Sequence, residues 1–222
     1  MPYFRNANLL FIHIPKTGGT SLEKYFSDKF NIPLNQESLY GFLDQRISLK
    51  SGIHLNHSLQ HLTMNEIKKY NYYFKITNAC VITIVRNPYE RLMSELFYQN
   101  KIKVEDTPKT VYRRIRWIIS KNIDNHTLPQ HKYIHGRVIV LHTETLEEEM
   151  HKLGFTDFSK KENENKDKVN YYDYLNGNSI RLINSYYKMD FELFGYPLLP
   201  HIPRDSFLTD SGFDKVGVFD VA

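Results

Sequence analysis

The residues with the most evident chemistry form one short run that joins a lysine, two glycines and three hydroxyl side chains: Lys16, Thr17, Gly18, Gly19, Thr20 and Ser21. An apolar run at residues 9–12 precedes them and predicts a strand, and apolar side chains then recur at helical spacing at Leu22, Tyr25, Phe26 and Phe30. We expect this helix to begin where the glycines end, with Thr20 or Ser21 as its N-cap. Free N–H groups at the glycines and the helix start, the positive end of the helix dipole and the Lys16 ammonium then converge on one anion-sized volume. The run therefore predicts a phosphate-binding loop between a strand and a helix.

The best-known phosphate loop does not fit this run. The nucleotide triphosphatase motif places its lysine after the glycines, whereas Lys16 comes before Gly18 and Gly19. The physics of strand, loop and helix still predicts a phosphate site. The alternative that stays open is that the glycine pair only forms a tight turn.

A second set of residues suited to phosphate follows the apolar run at residues 81–85. Arg86 comes directly after this predicted strand, Asn87 is a plausible N-cap, and Pro88 suits the first position of a helix with an apolar face at Tyr89, Leu92, Met93 and Leu96. Arginine offers a bidentate fork to phosphate and Ser94 a short hydroxyl donor. The two converge if the helix folds back over the strand edge. A structural arginine at the sheet edge is the alternative, and a kinase would usually have a magnesium-binding aspartate there.

Three histidines lie between these two motifs. His54, His57 and His61 are spaced three and four residues apart, so a helix would place them on one face, as in a metal site. No cysteine or nearby carboxylate completes a recognised ligand set, and we expect no metal. A neutral histidine, with an ordinary pKa near 6.5, also suits a general base that accepts a hydroxyl proton at neutral pH. A capping or surface histidine remains the alternative.

Composition describes an ordinary globular protein. The 222 residues predict a single domain over residues 1–222, in which residues 197–222 form a C-terminal extension of unknown role. The net charge of +4 suits an anionic ligand but falls short of a nucleic-acid-binding signature. Cys80 is the only cysteine, which excludes an internal disulfide and a cysteine-rich zinc site. No run of eighteen apolar residues and no signal peptide is present, so we expect no transmembrane segment and a cytoplasmic location.

Strands and helices alternate along the chain. Residues 31–58 predict loops with short helices, Thr107 and Pro108 begin a helix, residues 138–141 form a buried strand, and Thr145 opens a helix through a capping box. This alternation predicts an α/β fold, a three-layer sandwich with a central parallel sheet.

The two motifs together resemble a known family. Residues 15–21 resemble the 5′-phosphosulfate loop of sulfotransferases that use 3′-phosphoadenosine-5′-phosphosulfate (PAPS), and residues 86–94 resemble their 3′-phosphate motif. The chain resembles in particular the group that includes heparan sulfate 2-O- and 6-O-sulfotransferases and bacterial relatives, whose fold is similar to that of P-loop kinases. In that group a histidine at the place of His61 is the general base, and an Asn-Lys segment matching Asn165 and Lys166 closes over the cofactor. Leu128, Pro129 and Gln130 resemble a Pro-Gln segment whose role the sequence does not explain.

The resemblance implies an enzyme that moves a sulfuryl group from PAPS to an acceptor hydroxyl, on a glycan or glycolipid, and releases 3′-phosphoadenosine-5′-phosphate (PAP). It implies that Lys16 and His61 are catalytic, that residues 16–21 bind the 5′-phosphate, that Arg86 and Ser94 bind the 3′-phosphate, and that no metal is needed. Eukaryotic relatives usually carry a Golgi membrane anchor, so we expect either a bacterial or viral origin or a chain shortened from a longer protein. Two alternatives stay open: an ATP- and magnesium-dependent phosphotransferase, and a non-catalytic module that binds adenosine bisphosphate.

Overall fold

A four-stranded sheet forms the centre of the molecule. The computed structural model describes residues 1–159 and 169–200. The strands β1 (Tyr3–Phe4), β2 (Leu9–Ile12), β3 (Cys80–Val85) and β4 (Ile139–His142) lie side by side in that order. β2, β3 and β4 are parallel, and only the two-residue β1 is antiparallel to its neighbour. The predicted α/β fold with a central parallel sheet is confirmed.

Helices connect the strands. Within the described residues the α-helices are α1 (Gly19–Phe30), α2 (Gln45–Ser51), α3 (Met64–Lys69), α4 (Asn71–Phe74), α5 (Pro88–Tyr98), α6 (Pro108–Lys121), α7 (Leu146–Lys152), α8 (Gly177–Tyr186) and α9 (Lys188–Phe194). Short 3₁₀ turns lie at Arg5–Ala7, Gln36–Ser38, Leu59–His61, Ile123–Asn125, Gln130–Lys132, Thr143–Thr145 and Tyr171–Tyr174. None of the helices in this part of the chain combines the length and apolar character needed to cross a lipid bilayer.

Apolar clusters cover both faces of the sheet. Successive side chains of a strand point to opposite faces. Leu10 and Ile12 of β2 pack with residues from segments 53–74, whereas Leu9 and Phe11 pack with residues of α1 and α7. Burial on both faces explains why residues 9–12 are continuously apolar rather than alternating. A third cluster joins α5, α6, α8 and α9.

The parallel register places the two phosphate motifs next to each other. Ile12 of β2 pairs with Thr83 of β3, so the loop after β2 and the loop after β3 leave the same edge of the sheet. Ligands of open α/β sheets bind at this carboxyl edge. The fold therefore joins residues that are about 70 positions apart, such as Lys16 and Arg86.

Two predicted helix starts are wrong in their caps. α1 begins at Gly19, and its N-cap is Gly18, which has φ +87° and no side-chain cap; neither Thr20 nor Ser21 takes that position. The glycine turns the chain directly into the helix, two residues earlier than a cap at Thr20 would. α7 does begin after Thr145, but the Thr145 side chain makes no capping hydrogen bond, so the predicted capping box is absent. The cap predicted at Asn87 and the helix start predicted at Thr107 and Pro108 are confirmed.

Candidate active site

The two glycines of the loop are needed for different reasons. Gly18 has a φ of +87°, in the left-handed region that favours glycine. Gly19 has no such φ, but a Cβ there would lie 2.5 Å from Cδ2 of His13 and 2.7 Å from its Nε2. The buried His13 ring therefore packs directly against the backbone at the start of α1. The pair does more than turn the chain, because it also brings an imidazole to the loop.

The loop keeps its backbone donors available. Within residues 1–159 and 169–200, no group accepts a hydrogen bond from the backbone N–H of Thr17, Gly18 or Gly19. The Thr17 hydroxyl is buried and donates to the carbonyl of Ile14 at 2.8 Å, so it shapes the loop from inside. Thr20 is exposed and Ser21 half-buried. Free N–H groups at the positive end of a twelve-residue helix form a cradle that fits a phosphate or sulfate group.

The Lys16 ammonium of the loop contacts an aromatic side chain of α5. Its Nζ is 3.8 Å from the centroid of the Tyr98 ring, a cation–π contact. Burial lowers the pKa of Lys16, and the nearby Arg86 guanidinium adds to this, while Glu95 opposes it. The backbone of Lys16 has a φ of +67°, which is uncommon for a residue with a side chain and marks a strained loop.

Arg86 faces the same loop from β3. Its Nη1 donates to the carbonyl of Lys16 at 3.4 Å, and its Nη2 is 3.1 Å from Oε2 of Glu90. Ser94 lies one helical turn from both Glu90 and Tyr98 on α5, so these three side chains share one side of the helix. The structure thus brings Lys16, Arg86 and the Ser94 side of α5 to one place, as the two motifs predict.

Gln130 explains the Pro-Gln segment. Its buried side-chain amide makes two hydrogen bonds of 2.9 Å with the backbone of Arg86: Oε1 accepts from the N–H and Nε2 donates to the carbonyl. The backbone N–H of Gln130 donates in turn to buried Asp190 of α9 at 2.7 Å. Gln130 therefore fixes the position of Arg86, and α9 fixes Gln130.

Arg91 is a buried residue whose structural role sequence reasoning missed. Its buried guanidinium donates to three backbone carbonyls: Pro15 at 2.9 Å, His126 at 2.8 Å and Leu128 at 3.0 Å. It ties α5 to both the phosphate loop and the segment before Gln130. The only signal in the sequence is a charged residue within the otherwise apolar face of α5.

The three sequence-adjacent histidines do not share a helix face. Residues 54–58 are not helical, and only Leu59–His61 form a 3₁₀ turn. His54 is exposed, and His57 Nε2 lies 3.2 Å from Glu66 Oε1. The one-face arrangement that a helix would give is therefore absent, and the spacing of the three histidines no longer favours a metal site at them.

His61 is buried next to a different set of partners. Its Nδ1 lies 2.9 Å from Oδ2 of Asp124 and 2.9 Å from Oγ of Ser58. Burial lowers the pKa of His61 to about 3, and the nearby His13 and His126 also lower it, whereas the hydrogen bond with Asp124 raises it. His61 is therefore neutral at physiological pH, the protonation state that a general base requires.

His61 belongs to a buried network of histidines and carboxylates that sequence reasoning also missed. The rings of His13 and His126 contact it edge-on, with centroids 5.2 Å and 4.8 Å away. His13 Nδ1 lies 2.6 Å from buried Glu23, and His126 Nδ1 lies 2.9 Å from buried Glu95. Because His61 and its partner Asp124 are 63 positions apart in sequence, spacing could not reveal the network.

Three members of the network could hold a metal ion. His61, Asp124 and His126 each offer a ligand atom, all within 4.8 Å of one another, and two histidines with one carboxylate are a known metal-binding combination. The same groups already serve as each other's partners, since His61 Nδ1 is hydrogen-bonded to Asp124 and His126 Nε2 lies 3.6 Å from it. We treat them as a hydrogen-bonded network and assign no metal to them.

The site can be compared with known proteins. A model described as the sulfotransferase family matches residues 3–137, more than half of the chain. The chain belongs to the sulfotransferase family. The match includes both phosphate motifs, His61, Asp124 and Gln130, and family membership supports sulfuryl transfer to a hydroxyl-bearing acceptor as the general reaction. No curated protein and no solved structure matches this sulfotransferase. Asn165 and Lys166 lie outside the described residues, as do residues 201–222 of the C-terminal extension.

Proposed function

We propose that this sulfotransferase transfers the sulfuryl group of PAPS to a hydroxyl of a carbohydrate acceptor, as in the heparan sulfate 2-O- and 6-O-sulfotransferase group that its motifs resemble. The observation that carries the choice of donor is the second cationic position beside the phosphate loop. Arg86 lies 3.4 Å from the backbone of Lys16, and a nucleotide with phosphates at both its 5′ and 3′ positions needs two such anion sites. A single phosphate loop would serve ATP or AMP equally well.

The residues present fit this donor. The cradle of residues 17–21 would hold the 5′-phosphate through backbone N–H groups and the exposed hydroxyls, and Arg86 with Ser94 would hold the 3′-phosphate. Arg86 now pairs with Glu90, so phosphate binding would exchange one anionic partner for another. Asn165 and Lys166 keep their proposed role of closing over the donor.

Three of the chain's own groups would act in the transfer. His61 Nε2 takes the proton of the acceptor hydroxyl. As it does so, the acceptor oxygen bonds to the sulfur that PAPS supplies, and the bond between that sulfur and the 5′-phosphate oxygen breaks. The Lys16 ammonium stabilises the negative charge that grows on this oxygen, and the loop N–H groups bind the same phosphate. Positioning and charge stabilisation can supply most of the acceleration of such a transfer, and the proposal requires no metal.

The test is transfer of radiolabelled sulfate. The protein is incubated with sulfur-labelled PAPS and a panel of glycans, glycolipids and small alcohols, with and without EDTA. We expect labelled glycan and no effect of EDTA. Transfer of phosphate from labelled ATP with magnesium would support the phosphotransferase instead, and tight PAP binding without any transfer would support a non-catalytic module. Activity lost in EDTA and restored by zinc would assign a metal to His61, Asp124 and His126.

A further inference from the structure

Asp124 holds the turn that carries His61 through both of its oxygens. Oδ1 accepts from the backbone N–H of Ser58 at 2.6 Å. Oδ2 accepts from the Ser58 hydroxyl at 3.2 Å and lies 2.9 Å from His61 Nδ1. A carboxylate that contacts both ends of a four-residue turn and one imidazole nitrogen restricts the orientation of that ring.

The ionisation of Asp124 determines where the proton of His61 lies. Burial alone would raise the pKa of Asp124, but hydrogen bonding to His126, His61 and Ser58 outweighs burial and holds the pKa below its ordinary value. An ionised carboxylate only accepts hydrogen bonds, so the His61 nitrogen that faces it must carry the hydrogen. A neutral imidazole has one hydrogen, which leaves Nε2 as a bare acceptor.

We propose that Asp124 is a positioning residue that fixes His61 as the tautomer with its hydrogen on Nδ1, and that His126, held by Glu95, keeps Asp124 ionised. In a hydrolase triad, a carboxylate likewise holds a histidine in the tautomer that accepts a proton from serine. Here the hydroxyl of the acceptor would take the place of the serine. The catalytic consequence of this arrangement rests on the proposed function, whereas the tautomer does not.

The backbone around Asp124 supports a specialised role. Asn122, Asp124 and Asn125 have φ values of 38°, 52° and 60°, so three residues of one short segment adopt the left-handed conformation. The segment is tied to the base directly, because Nδ2 of Asn125 donates to the carbonyl of His61 at 3.2 Å. Tyr133 donates to the carbonyl of Asn125 at 2.6 Å from the other side. Such strain persists where surrounding contacts impose it, and it concentrates at functional sites.

The replacement Asp124→Asn tests the proposal with little change in shape. Asparagine tolerates the left-handed conformation and can still accept from the Ser58 N–H. Its NH₂ group would donate to His61 Nδ1, which forces the hydrogen onto Nε2 and removes the acceptor. The matched control is Asp157→Asn, which alters an exposed carboxylate bound to Tyr25 and Lys29 of α1 and makes no contact with His61 or Asp124 among the described residues.

The primary measurement is ¹⁵N NMR of histidine-labelled protein at pH 7, with His61 assigned from a His61→Gln variant. We expect the hydrogen of His61 on Nδ1 in the wild type and the Asp157→Asn variant, and on Nε2 in Asp124→Asn. Turnover of Asp124→Asn should fall about a hundredfold to ten-thousandfold, with KM and PAP affinity within a few fold.

Each outcome decides a separate statement. A wild-type His61 with its hydrogen on Nε2 overturns the inference without any variant, so a misfolded Asp124→Asn protein does not prevent the test. An inverted tautomer with unchanged turnover would also overturn it, because the tautomer would not matter for transfer. If the wild type transfers no sulfate to any acceptor while the tautomer inverts as expected, the proposed function fails and the positioning of His61 by Asp124 is retained.

Discussion

At the scale of single residues, two adjacent glycines have separable roles. The Cβ of an alanine at position 19 would meet the His13 ring at 2.5 Å, whereas at position 18 the nearest atom is 4.0 Å away and only the backbone is strained. We expect Gly19→Ala to lower the free energy of unfolding by about 1–3 kcal/mol through overpacking. In a His13→Ala background this cost should shrink, while the cost of Gly18→Ala should stay the same.

Chemical denaturation of the two double-mutant cycles measures this difference. Equal coupling of His13 to both glycines would contradict the distinction, because the effect would then belong to the whole loop rather than to one close contact.

Lys16 is expected to act on the transition state more than on binding. Its ammonium rests on the Tyr98 ring and is partly buried, so it can meet the charge that develops on the leaving phosphate. Lys16→Ala should therefore lower kcat by a larger factor than it weakens PAP binding. Lys101→Ala is the control, since Lys101 makes a comparable contact with Trp117 outside the site. A change in PAP affinity alone, measured by calorimetry, would make Lys16 only a ground-state anchor.

His61 is expected to be the base among the three clustered histidines. Removing a general base typically lowers the rate about a hundredfold to ten-thousandfold, so His61→Ala should nearly abolish transfer and leave PAP affinity within a few fold. His54 is exposed and His57 pairs with Glu66, so His54→Ala and His57→Ala should be much milder. A full-rate His61 variant beside an inactive His57 variant would move the role to His57.

At the scale of elements, the position of Arg86 depends on the segment before Gln130 and on α9. Gln130→Leu would remove the hydrogen-bond partner of the backbone N–H and carbonyl of Arg86. The backbone that carries the guanidinium would then no longer be held in place. Charge-assisted contacts to phosphate contribute on the order of 1.5–3 kcal/mol, and the wild type should bind PAP roughly tenfold to a hundredfold more tightly than AMP.

Calorimetric titration with PAP and AMP tests this dependence. Gln130→Leu should lose much of the preference, as Arg86→Ala should, whereas Gln36→Leu, remote from the site, should retain it. A Gln130 variant that keeps the full preference would show that Arg86 holds its place without the amide.

Local sequence patterns predicted the helices and strands better than the long-range contacts between them. The strands, the α5 cap and the apolar faces follow from periodicity and from Asn87 and Pro88, which act over a few residues. The roles of Arg91, Gln130 and Asp124 could not be predicted, because each binds a backbone or side chain far away in sequence. The start of α1 was misplaced because a left-handed glycine took the cap position that hydroxyl residues usually occupy.

At the scale of the whole molecule, one buried polar network links β2, α1, α5 and the loops at residues 58–61 and 122–128. Four of its six carboxylates and histidines are buried, and Asp124 and His126 are partly buried. Buried charge is tolerated only where it is paired, so the protonation of the network should be coupled to folding. His61 and His126 have opposite pKa shifts, and they should therefore limit stability on opposite sides of neutral pH.

The joint contribution of these two histidines to the free energy of unfolding should be greatest near pH 6.5, which is the ordinary histidine pKa. On the acid side, His61 is protonated below pH 6.5 in the unfolded chain, whereas in the folded protein its pKa is about 3. The unfolded chain therefore binds the proton first, and stability falls as pH decreases. On the alkaline side, burial alone would lower the pKa of His126, but the ion pairs with Asp124 and Glu95 raise it above 6.5. Protonated His126 therefore stabilises the folded protein fully below pH 6.5. This stabilisation is lost as pH rises through the pKa of His126 in the folded protein, because Glu95 of α5 and Asp124 then lie next to a neutral ring, which also contacts Tyr98 and His61.

Urea denaturation between pH 5 and pH 9 measures both limbs, and the lower limit avoids most carboxylate titration. His61→Gln should flatten the acid limb and His126→Gln the alkaline limb, while His54→Gln, at an exposed position, should leave both unchanged. If His126→Gln left the alkaline limb intact, His126 would not carry the charge that compensates Asp124 and Glu95. Another group would then have to balance the negative charge of Asp124 beside His61. The proposal that His126, held by Glu95, keeps Asp124 ionised would be wrong.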